Sequence, residues 1–303
     1  MDLFSKKDIQ GLLKTLNIAP SKGLGQNFLI SKGIAKKIID AADIKPDDVV
    51  LEVGPGIGNL TLELAKSAKQ VVAVEKDKKM VEILQKTLKD CKNVEIINED
   101  ILKLNPNAQI PMPNQTPNPN AQKVNWDLDN LDLIGHWSLG FGHYKVVANL
   151  PYYITSPTIR MFLESDVKID AMVLTIQKEV AQRICAKPPE MSILAVSVQF
   201  YAEPKIISYI KKENFWPRPK VDSAIIKLEI KDSRYQIPDS RYFFKVVKAG
   251  FSHPRKQLVN NLSGGLRINK EKVSEILREN GIKPEQRAET LTVEQWKTLA
   301  NNF

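Results

Sequence analysis

The feature that constrains the fold most is a run of glycines between a predicted buried strand and a predicted helix. Residues 49–53 read VVLEV, apolar apart from Glu52, and residues 54–58 read GPGIG. A glycine loop at such a junction lets the backbone come close to a ligand and points N–H groups at the ligand's charge. The loop therefore predicts a ligand-binding turn at the carboxyl end of a strand.

The chain around this loop alternates between two patterns. Short β-rich runs at residues 70–75, 94–98, 144–149 and 171–176 are separated by stretches in which apolar residues recur at helical spacing. Asp77 is suited to cap the helix that follows the second strand. Such alternation is typical of βαβ units on a parallel sheet. We therefore predict an α/β domain over residues 1–236.

Two regions depart from this pattern. Residues 104–142 contain seven Asn and five Pro, and the tetrapeptide PNAQ occurs twice. That composition predicts a loosely ordered surface insertion. Residues 237–303 show helical patterns in series, and the first of them has an apolar face that includes Phe243 and Val247. A small helical domain is predicted there.

Charge is distributed unevenly along the chain. Residues 1–179 hold 22 basic and 22 acidic side chains, whereas residues 180–303 hold 22 basic and 13 acidic ones, which accounts for the whole net charge of +9. Lys and Arg clusters favour a polyanion, because neutralising phosphates releases condensed counterions. Selection for solubility alone would produce the same composition. The clustering favours a nucleic-acid partner for the C-terminal part.

Composition also excludes several classes of protein. No apolar run approaches the length of about 18 residues that spans a bilayer, and the first ten residues lack the apolar core of a signal peptide. The chain has only two cysteines, Cys91 and Cys185, which are too few for a disulfide framework. Its three histidines, together with these cysteines, are also too few for a typical zinc site; they are His136, His143 and His253. We expect a cytoplasmic monomer without a metal.

The spacing of the glycines narrows the choice of ligand. Dinucleotide-binding folds use GxGxxG, but here the third glycine follows the second by two positions, and Glu52 ends the strand before them. This ExGxGxG pattern resembles motif I of class I S-adenosylmethionine (SAM) methyltransferases. Glu75 ends the next strand, where an acid can accept hydrogen bonds from ribose hydroxyls. Asp100, just after the third strand, is placed at the adenine edge.

A second motif, Asn149-Leu150-Pro151-Tyr152, ends the fourth strand. An exocyclic adenine amine is a poor nucleophile, because its lone pair is delocalised into the ring. An Asn side-chain oxygen and a backbone carbonyl can accept both of its N–H bonds, and a tyrosine offers a stacking face to a flipped base. The motif resembles the N-P-P-Y type of amino-group methyltransferases. By itself it is also typical of a strand-ending turn with a buried aromatic.

Taken in order, these motifs resemble the rRNA adenine N6-dimethyltransferase family, and within it the bacterial small-subunit branch. The stretches that carry the resemblance are residues 25–29 (GQNFL), the glycine loop, Glu75, Asp100, residues 149–152 (NLPY) and residues 215–223 (FWPRPKVDS). Residues 251–262 and 281–289 favour the small-subunit branch over the antibiotic-resistance methylases of large-subunit rRNA. The resemblance extends from about residue 20 to the C-terminus, apart from the insertion at residues 104–142.

The resemblance implies a fold, a reaction and a set of roles. The fold is a Rossmann-like class I SAM methyltransferase domain with a small C-terminal helical domain that binds RNA. The reaction is SAM-dependent dimethylation of two adjacent adenosines in the 3′-terminal hairpin loop of small-subunit (16S) rRNA. Asn149 and the Leu150 carbonyl would hold the target amine, and Tyr152 and Phe215 would sandwich the adenine. The implied cofactor-binding residues are Asn27, Leu29, Gly54, Gly56, Glu75, Asp100, Ile101 and Asn149.

Two other classes of function compete with this interpretation. The first is a binding protein that kept the fold as a ribosome-assembly or transcription factor, which the intact Glu75, Asp100 and NLPY motif disfavour. The second is an NAD-dependent dehydrogenase, which the glycine spacing and the basic helical tail disfavour. For Phe215, core packing before a proline turn is the alternative to base stacking.

Overall fold

The computed structural model describes residues 1–104, 144–165, 169–231 and 240–303. Apart from Leu104, the predicted insertion lies outside the described residues, and so does the predicted domain boundary at residues 236 and 237. Among the described residues, no helix is both long enough and apolar enough to cross a membrane.

Strands and helices alternate through the first part of the chain. The described strands are β1 (Phe28–Leu29), β2 (Val49–Val53), β3 (Gln70–Val74), β4 (Val94–Ile97), β5 (Tyr144–Asn149), β6 (Ile169–Gln177), β7 (Ala202–Ile210), β8 (Phe215–Trp216) and β9 (Ser223–Ile230). The described helices are α1 (Lys6–Thr15), α2 (Lys32–Ala42), α3 (Asn59–Ala65), α4 (Lys78–Thr87), α5 (Thr155–Leu163), α6 (Lys178–Ile184), α7 (Ile193–Tyr201), α8 (Ser240–Gly250), α9 (Leu258–Leu266), α10 (Lys270–Glu279) and α11 (Val293–Asn302).

Seven strands form one mixed sheet in the order β4-β3-β2-β5-β6-β9-β7, and β1 pairs with β8 in a separate two-stranded sheet. Strands β2, β3, β4, β5 and β6 run parallel to one another. Strand β9 lies between β6 and β7 and is antiparallel to both. In the sheet, β3 lies on one side of β2 and β5 lies on the other side. The strand order therefore reverses at β2.

The sequence correctly predicts the five parallel strands β2 to β6, and Asp77 caps α4 by accepting the Lys79 N–H. It does not predict β7 and β9. In β7, exposed residues such as Glu203 and Lys205 alternate with less exposed ones along the edge of the sheet. An edge strand of this kind lacks the continuous apolar run that makes a central parallel strand visible.

Both faces of the sheet are covered by helices. All five residues of β2 are buried, as is typical of a central parallel strand. Successive side chains point to opposite faces. Val50 packs in a cluster with α2 and α3, whereas Leu51 packs in a cluster that reaches α5, α7 and the C-terminal helices.

The C-terminal helices pack onto the rest of the protein through aromatic side chains. Phe200 of α7 stacks on Phe243 of α8, with ring centroids 4.0 Å apart. Trp296 of α11 is fully buried and lies 5.6 Å from the Phe251 ring. The described part of the predicted C-terminal domain is therefore helical, and its apolar face continues the core beneath the sheet.

Gly250 gives a test of this packing. A Cβ at this position would meet the Trp296 ring at 2.9 Å from Cζ3 and closer still to Cη2. We expect Gly250→Ala to lower the free energy of unfolding by about 1–3 kcal/mol or more, because overpacking forces a rigid ring to move. Chemical denaturation measures the change.

Gly264 in α9 supplies the matched control, since nothing lies within 4 Å of its added Cβ. Gly264→Ala should raise stability by about 0.5–1 kcal/mol, the usual gain when alanine replaces glycine inside a helix. Equal stability of the two alanine variants would contradict the packing described for Trp296.

Candidate active site

One cavity lies at the carboxyl ends of β2, β3 and β5, where the strand order reverses. This is the general position of ligand sites in open α/β sheets. Every residue that the sequence predicts for cofactor or target binding lines this cavity: Asn27, Leu29, Gly54, Gly56, Glu75, Asp100, Ile101, Asn149, Leu150, Tyr152 and Phe215. The structure therefore brings the predicted residues together.

The glycine loop forms the floor of the cavity. Gly56 has φ = 60°, and a Cβ there would lie 3.1 Å from the Phe28 ring. Both the left-handed backbone and the close ring favour glycine at this position. The Gly56 N–H donates to Glu75 Oε2 over 3.1 Å, which ties the loop to the end of β3.

Glu75 is held by two backbone donors. Its Oε1 accepts the Asp77 N–H at 2.9 Å, while its Oε2 accepts the Gly56 N–H. Burial raises the pKa of Glu75, and these N–H groups oppose the rise. The side chain is thus a fixed hydrogen-bond acceptor at the cavity wall.

Asp100 forms an ion pair across the rim of the cavity. Lys76 Nζ lies 2.7 Å from Asp100 Oδ2, and the Leu102 N–H donates to Oδ1 at 3.1 Å. Partial burial raises the pKa of Asp100, but the Lys76 ammonium and the Leu102 N–H outweigh that effect, so the net pKa lies below the ordinary value. The carboxylate is therefore ionised and fixed in orientation.

Glu52 is a buried acid beneath the glycine loop. Its side chain is 1% exposed, and within the described ranges its Oε2 has no hydrogen-bond partner. Burial raises the pKa of Glu52 to about 8; the nearby Thr61 hydroxyl lowers it and the Glu75 carboxyl adds to the rise. A buried acid without a full set of partners costs stability unless a ligand compensates it.

The N-terminal segment of residues 24–30 crosses the cavity and is fastened at several points. Asn59 Nδ2 donates to the Leu29 carbonyl, and Gln26 Nε2 donates to Asp77 Oδ2 at 2.8 Å. The Ile30 N–H donates to the Asn214 carbonyl at 2.8 Å, beside the β1–β8 pair. Two side chains, those of Asn59 and Asp77, and the Asn214 main-chain carbonyl thus hold one wall of the cavity.

Asn149 makes the central contact of this wall. Its Nδ2 donates to the Asn27 carbonyl at 3.0 Å, which fixes the orientation of the amide. Among the described residues, neither Asn149 Oδ1 nor the Leu150 carbonyl has a hydrogen-bond partner. The cavity therefore offers two neighbouring acceptors without donors.

Two aromatic side chains stand beside these acceptors. Tyr152 is half-buried on the one-turn helix Tyr152–Ile154, and its hydroxyl lies 2.9 Å from Ser223 Oγ. Burial raises the pKa of Tyr152. Phe215 is 4% exposed and packs in the core while also lining the cavity. In the described part of the chain the two rings make no contact with each other.

The predicted site residues do not include Lys76, Tyr153 and Asn59, which also line the cavity. Lys76 directly follows Glu75, so its position along the chain is a signal that could have been used. Tyr153 follows the NLPY motif and is 55% exposed at the cavity lining. Asn59 is the first residue of α3, and its side chain holds the N-terminal segment. That contact joins residues 30 positions apart and leaves no local pattern.

A sheet of this order with a cavity at its reversal point has the fold of class I SAM-dependent methyltransferases. The crystal structure of a dimethyladenosine transferase from Plasmodium falciparum superposes with a TM-score of 0.71 at 26% identity, covering 91% of this chain and 96% of that one. The crystal structure of the 23S rRNA methyltransferase ErmE superposes with a TM-score of 0.65 at 25% identity. The superposition covers 91% of this chain and 98% of that one.

Sequence comparison narrows the class to one family. Residues 19–303 match the family described as Ribosomal RNA adenine dimethylase. Ribosomal RNA small subunit methyltransferase A of Dehalococcoides mccartyi (strain CBDB1) is 42% identical over 293 residues, which are 96% of this chain and 91% of that protein. Its counterpart in Clostridioides difficile (strain 630) is 39% identical over 302 residues, which are 99% of this chain and 96% of that protein. The chain belongs to the ribosomal RNA adenine dimethylase family.

Across residues 1–104, 144–165, 169–231 and 240–303, no three His, Cys, Asp or Glu side chains converge in an arrangement that could hold a metal ion. Glu75 is held by backbone N–H groups, and Asp100 is paired with Lys76.

The buried Glu52 predicts an unusual dependence of stability on pH. Its folded-state pKa of about 8 lies above the ordinary value of 4.5, so the folded protein binds the extra proton between these two values. Stability should fall as pH rises through this window, by up to about 1.4 kcal/mol per pH unit. Glu52→Gln removes the titration. The variant and the wild type should therefore be similar in stability near pH 5, and the variant increasingly more stable toward pH 8.

Thermal unfolding of the ligand-free proteins at several pH values measures this difference. Glu82→Gln is the control, because Glu82 is an exposed glutamate on α4. A difference between wild type and Glu52→Gln that stays constant with pH would contradict the raised pKa.

Proposed function

We propose that this protein transfers methyl groups from SAM to the N6 amines of two adjacent adenosines in the 3′-terminal hairpin loop of small-subunit rRNA, dimethylating each. The observation that carries the proposal is a pair of acceptors in the cavity of a methyltransferase fold, Asn149 Oδ1 and the Leu150 carbonyl, to which none of the described residues donates. An exocyclic amine has two N–H donors that match them. The names of the relatives support the small-subunit rRNA as the substrate.

The acids of the cavity fit SAM as the methyl donor. SAM supplies an electrophilic methyl group on a positively charged sulfonium. Glu75 has an acceptor position beside the glycine loop for ribose hydroxyls, and Asp100 and Ile101 follow the neighbouring strand for the adenine end. Buried Glu52, which has a free oxygen within the described residues, favours a ligand with positive charge. Asn27, Leu29, Gly54 and Gly56 complete the proposed cofactor side.

The protein's task at the target amine is positioning. When Asn149 Oδ1 and the Leu150 carbonyl accept its two N–H bonds, the nitrogen lone pair is turned away from the protein and toward the methyl donor. Holding two reactants in this geometry supplies much of the rate enhancement in such reactions. The N–H becomes acidic as the new C–N bond forms, so a separate strong base is unnecessary.

Tyr152 and Phe215 fit the role of a clamp for the flipped adenine. Stacking on an aromatic side chain contributes about 1–3 kcal/mol per base, which offsets the cost of taking the base out of its stack. We place the adenine in the gap between the two rings, which line one cavity and make no ring contact with each other in the described structure.

The C-terminal helices are the proposed RNA-binding part of the protein. Arg255, Lys256, Arg267 and Lys270 are all exposed, and residues 251–270 contain no acid. We propose an immature small ribosomal subunit in the cytoplasm as the partner and a monomer as the active form. The sequence motifs and the names of the relatives support the substrate; the location and the monomer remain predictions.

The catalytic role of Asn149 gives the most direct test. Asn149→Ala should lower methyl transfer by about a hundredfold or more, the loss typical when a preorganised polar group at a reacting centre is removed. RNA affinity should stay within about twofold, because a single contact to a base edge supplies little of the total binding. Transfer of labelled methyl from SAM to small subunits lacking this methylation, with parallel filter binding, measures both.

Asn93→Ala is the matched control, since Asn93 Nδ2 also donates to main-chain carbonyls, those of Ala65 and Ala68, but lies outside the cavity lining. The control should keep normal transfer. Normal activity of Asn149→Ala would overturn the assigned role. If the wild type binds SAM and small subunits but transfers no methyl, the protein is a binding factor and the proposed function is wrong.

The basic surface predicts a salt-dependent affinity for RNA. Deleting the C-terminal helices is a poor test, because Trp296 and Phe243 belong to the core. We instead expect Arg255→Ala/Lys256→Ala to weaken RNA binding and to reduce the slope of log affinity against log salt by about one to two. Lys6→Ala/Lys7→Ala, which alters two exposed lysines of α1, is the control. An unchanged slope in the first variant would contradict the assignment of this surface.

A further inference from the structure

We propose that Ser223 is a positioning residue for the reaction: its hydroxyl holds the Tyr152 ring in the orientation that keeps the target half of the cavity open. The proposal rests on the proposed function and adds to it a residue for which the motifs gave no role. Its basis is the contact between Tyr152 Oη and Ser223 Oγ, 2.9 Å apart.

Ser223 is placed to act as a fixed anchor. It is the first residue of β9, is 1% exposed, and pairs with Gln177 on one side and Ile210 on the other. The preceding residue, Asp222, accepts the Lys178 N–H on its carbonyl at 3.0 Å and the Lys212 N–H on its carboxylate at 3.1 Å. Strands and hydrogen bonds on both sides therefore fix the position of the Ser223 hydroxyl.

Tyr152 lies in a less constrained place. It begins a single helical turn after β5, and the next residue, Tyr153, is 55% exposed. The opposite wall of the gap is held independently, because Phe215 is buried and belongs to β8, which pairs with β1. The hydroxyl contact to Ser223 is thus the side-chain tether that joins the Tyr152 ring to the rigid part of the sheet.

Without the contact to Ser223, the Tyr152 ring would be free to rotate. A tyrosine ring that is free to rotate enters the gap beside Phe215, and an incoming adenine must then displace it. The half-buried Tyr152 hydroxyl would also lose its partner. The cofactor side of the cavity is built from other residues, so SAM affinity should not change while the use of RNA becomes less efficient.

A double-mutant cycle of Ser223→Ala and Tyr152→Phe tests the proposal. Each single variant should lower kcat/KM for small subunits by about three- to tenfold, the effect of one hydrogen bond. The double variant should be no worse than the poorer single one, because both changes remove the same interaction. SAM affinity by calorimetry and the thermal midpoint are measured for all variants.

Ser165→Ala is the control, since Ser165 is also a buried serine, whose Oγ donates to the Phe162 carbonyl at 2.8 Å, but it lies away from the cavity. It should keep wild-type kcat/KM. Losses that multiply in the double variant, or a Ser223→Ala protein as active as Ser165→Ala, would overturn the positioning role while leaving the methyltransferase intact. Absence of methyl transfer by the wild type would instead overturn the proposed function itself.

Discussion

The hydrogen bond from Asn149 Nδ2 to the Asn27 carbonyl is the contact on which the site depends. It joins the end of the central strand β5 to the N-terminal segment that closes the cavity. Because the amide's donor is used in this bond, its oxygen remains for a ligand. One interaction therefore fastens the N-terminal segment to β5 and orients the Asn149 amide, to which we assign the binding of the target amine. An aspartate at position 149 would lack the donor, and a leucine would lack both groups.

The three acids around this contact differ in how well their side chains are hydrogen-bonded. Glu52 is buried with an oxygen that lacks a partner in the described structure, and its pKa rises to about 8. Glu75 and Asp100 are instead satisfied by backbone N–H groups and by Lys76. The contrast supports the different roles that we propose for the three acids. Glu75 and Asp100 are fixed in orientation, which suits the hydroxyl and amine groups proposed for them, and Glu52 would gain most from a cationic ligand.

Much of the site could be predicted because its residues follow strands that the sequence makes visible. Glu75 and Asn149 end predicted parallel strands and Asp100 follows one, and the carboxyl ends of parallel strands meet at one edge of the sheet. The remaining parts depend on contacts between distant residues. Ser223 faces Tyr152 only because the antiparallel strand β9 is inserted between β6 and β7. The pairing of β1 with β8 is invisible to local patterns for the same reason, since each strand has two residues.

The central claim is that one cavity brings a methyl donor and an adenine amine together at Asn149. A crystal structure of the protein with S-adenosylhomocysteine and adenosine tests it most directly. We expect the cofactor product to bind against the glycine loop and Glu75. We expect the adenine of the second molecule to lie between Tyr152 and Phe215, with its N6 within hydrogen-bond distance of Asn149 Oδ1 and the Leu150 carbonyl. An adenine bound elsewhere, or one whose N6 points away from Asn149, would contradict the account.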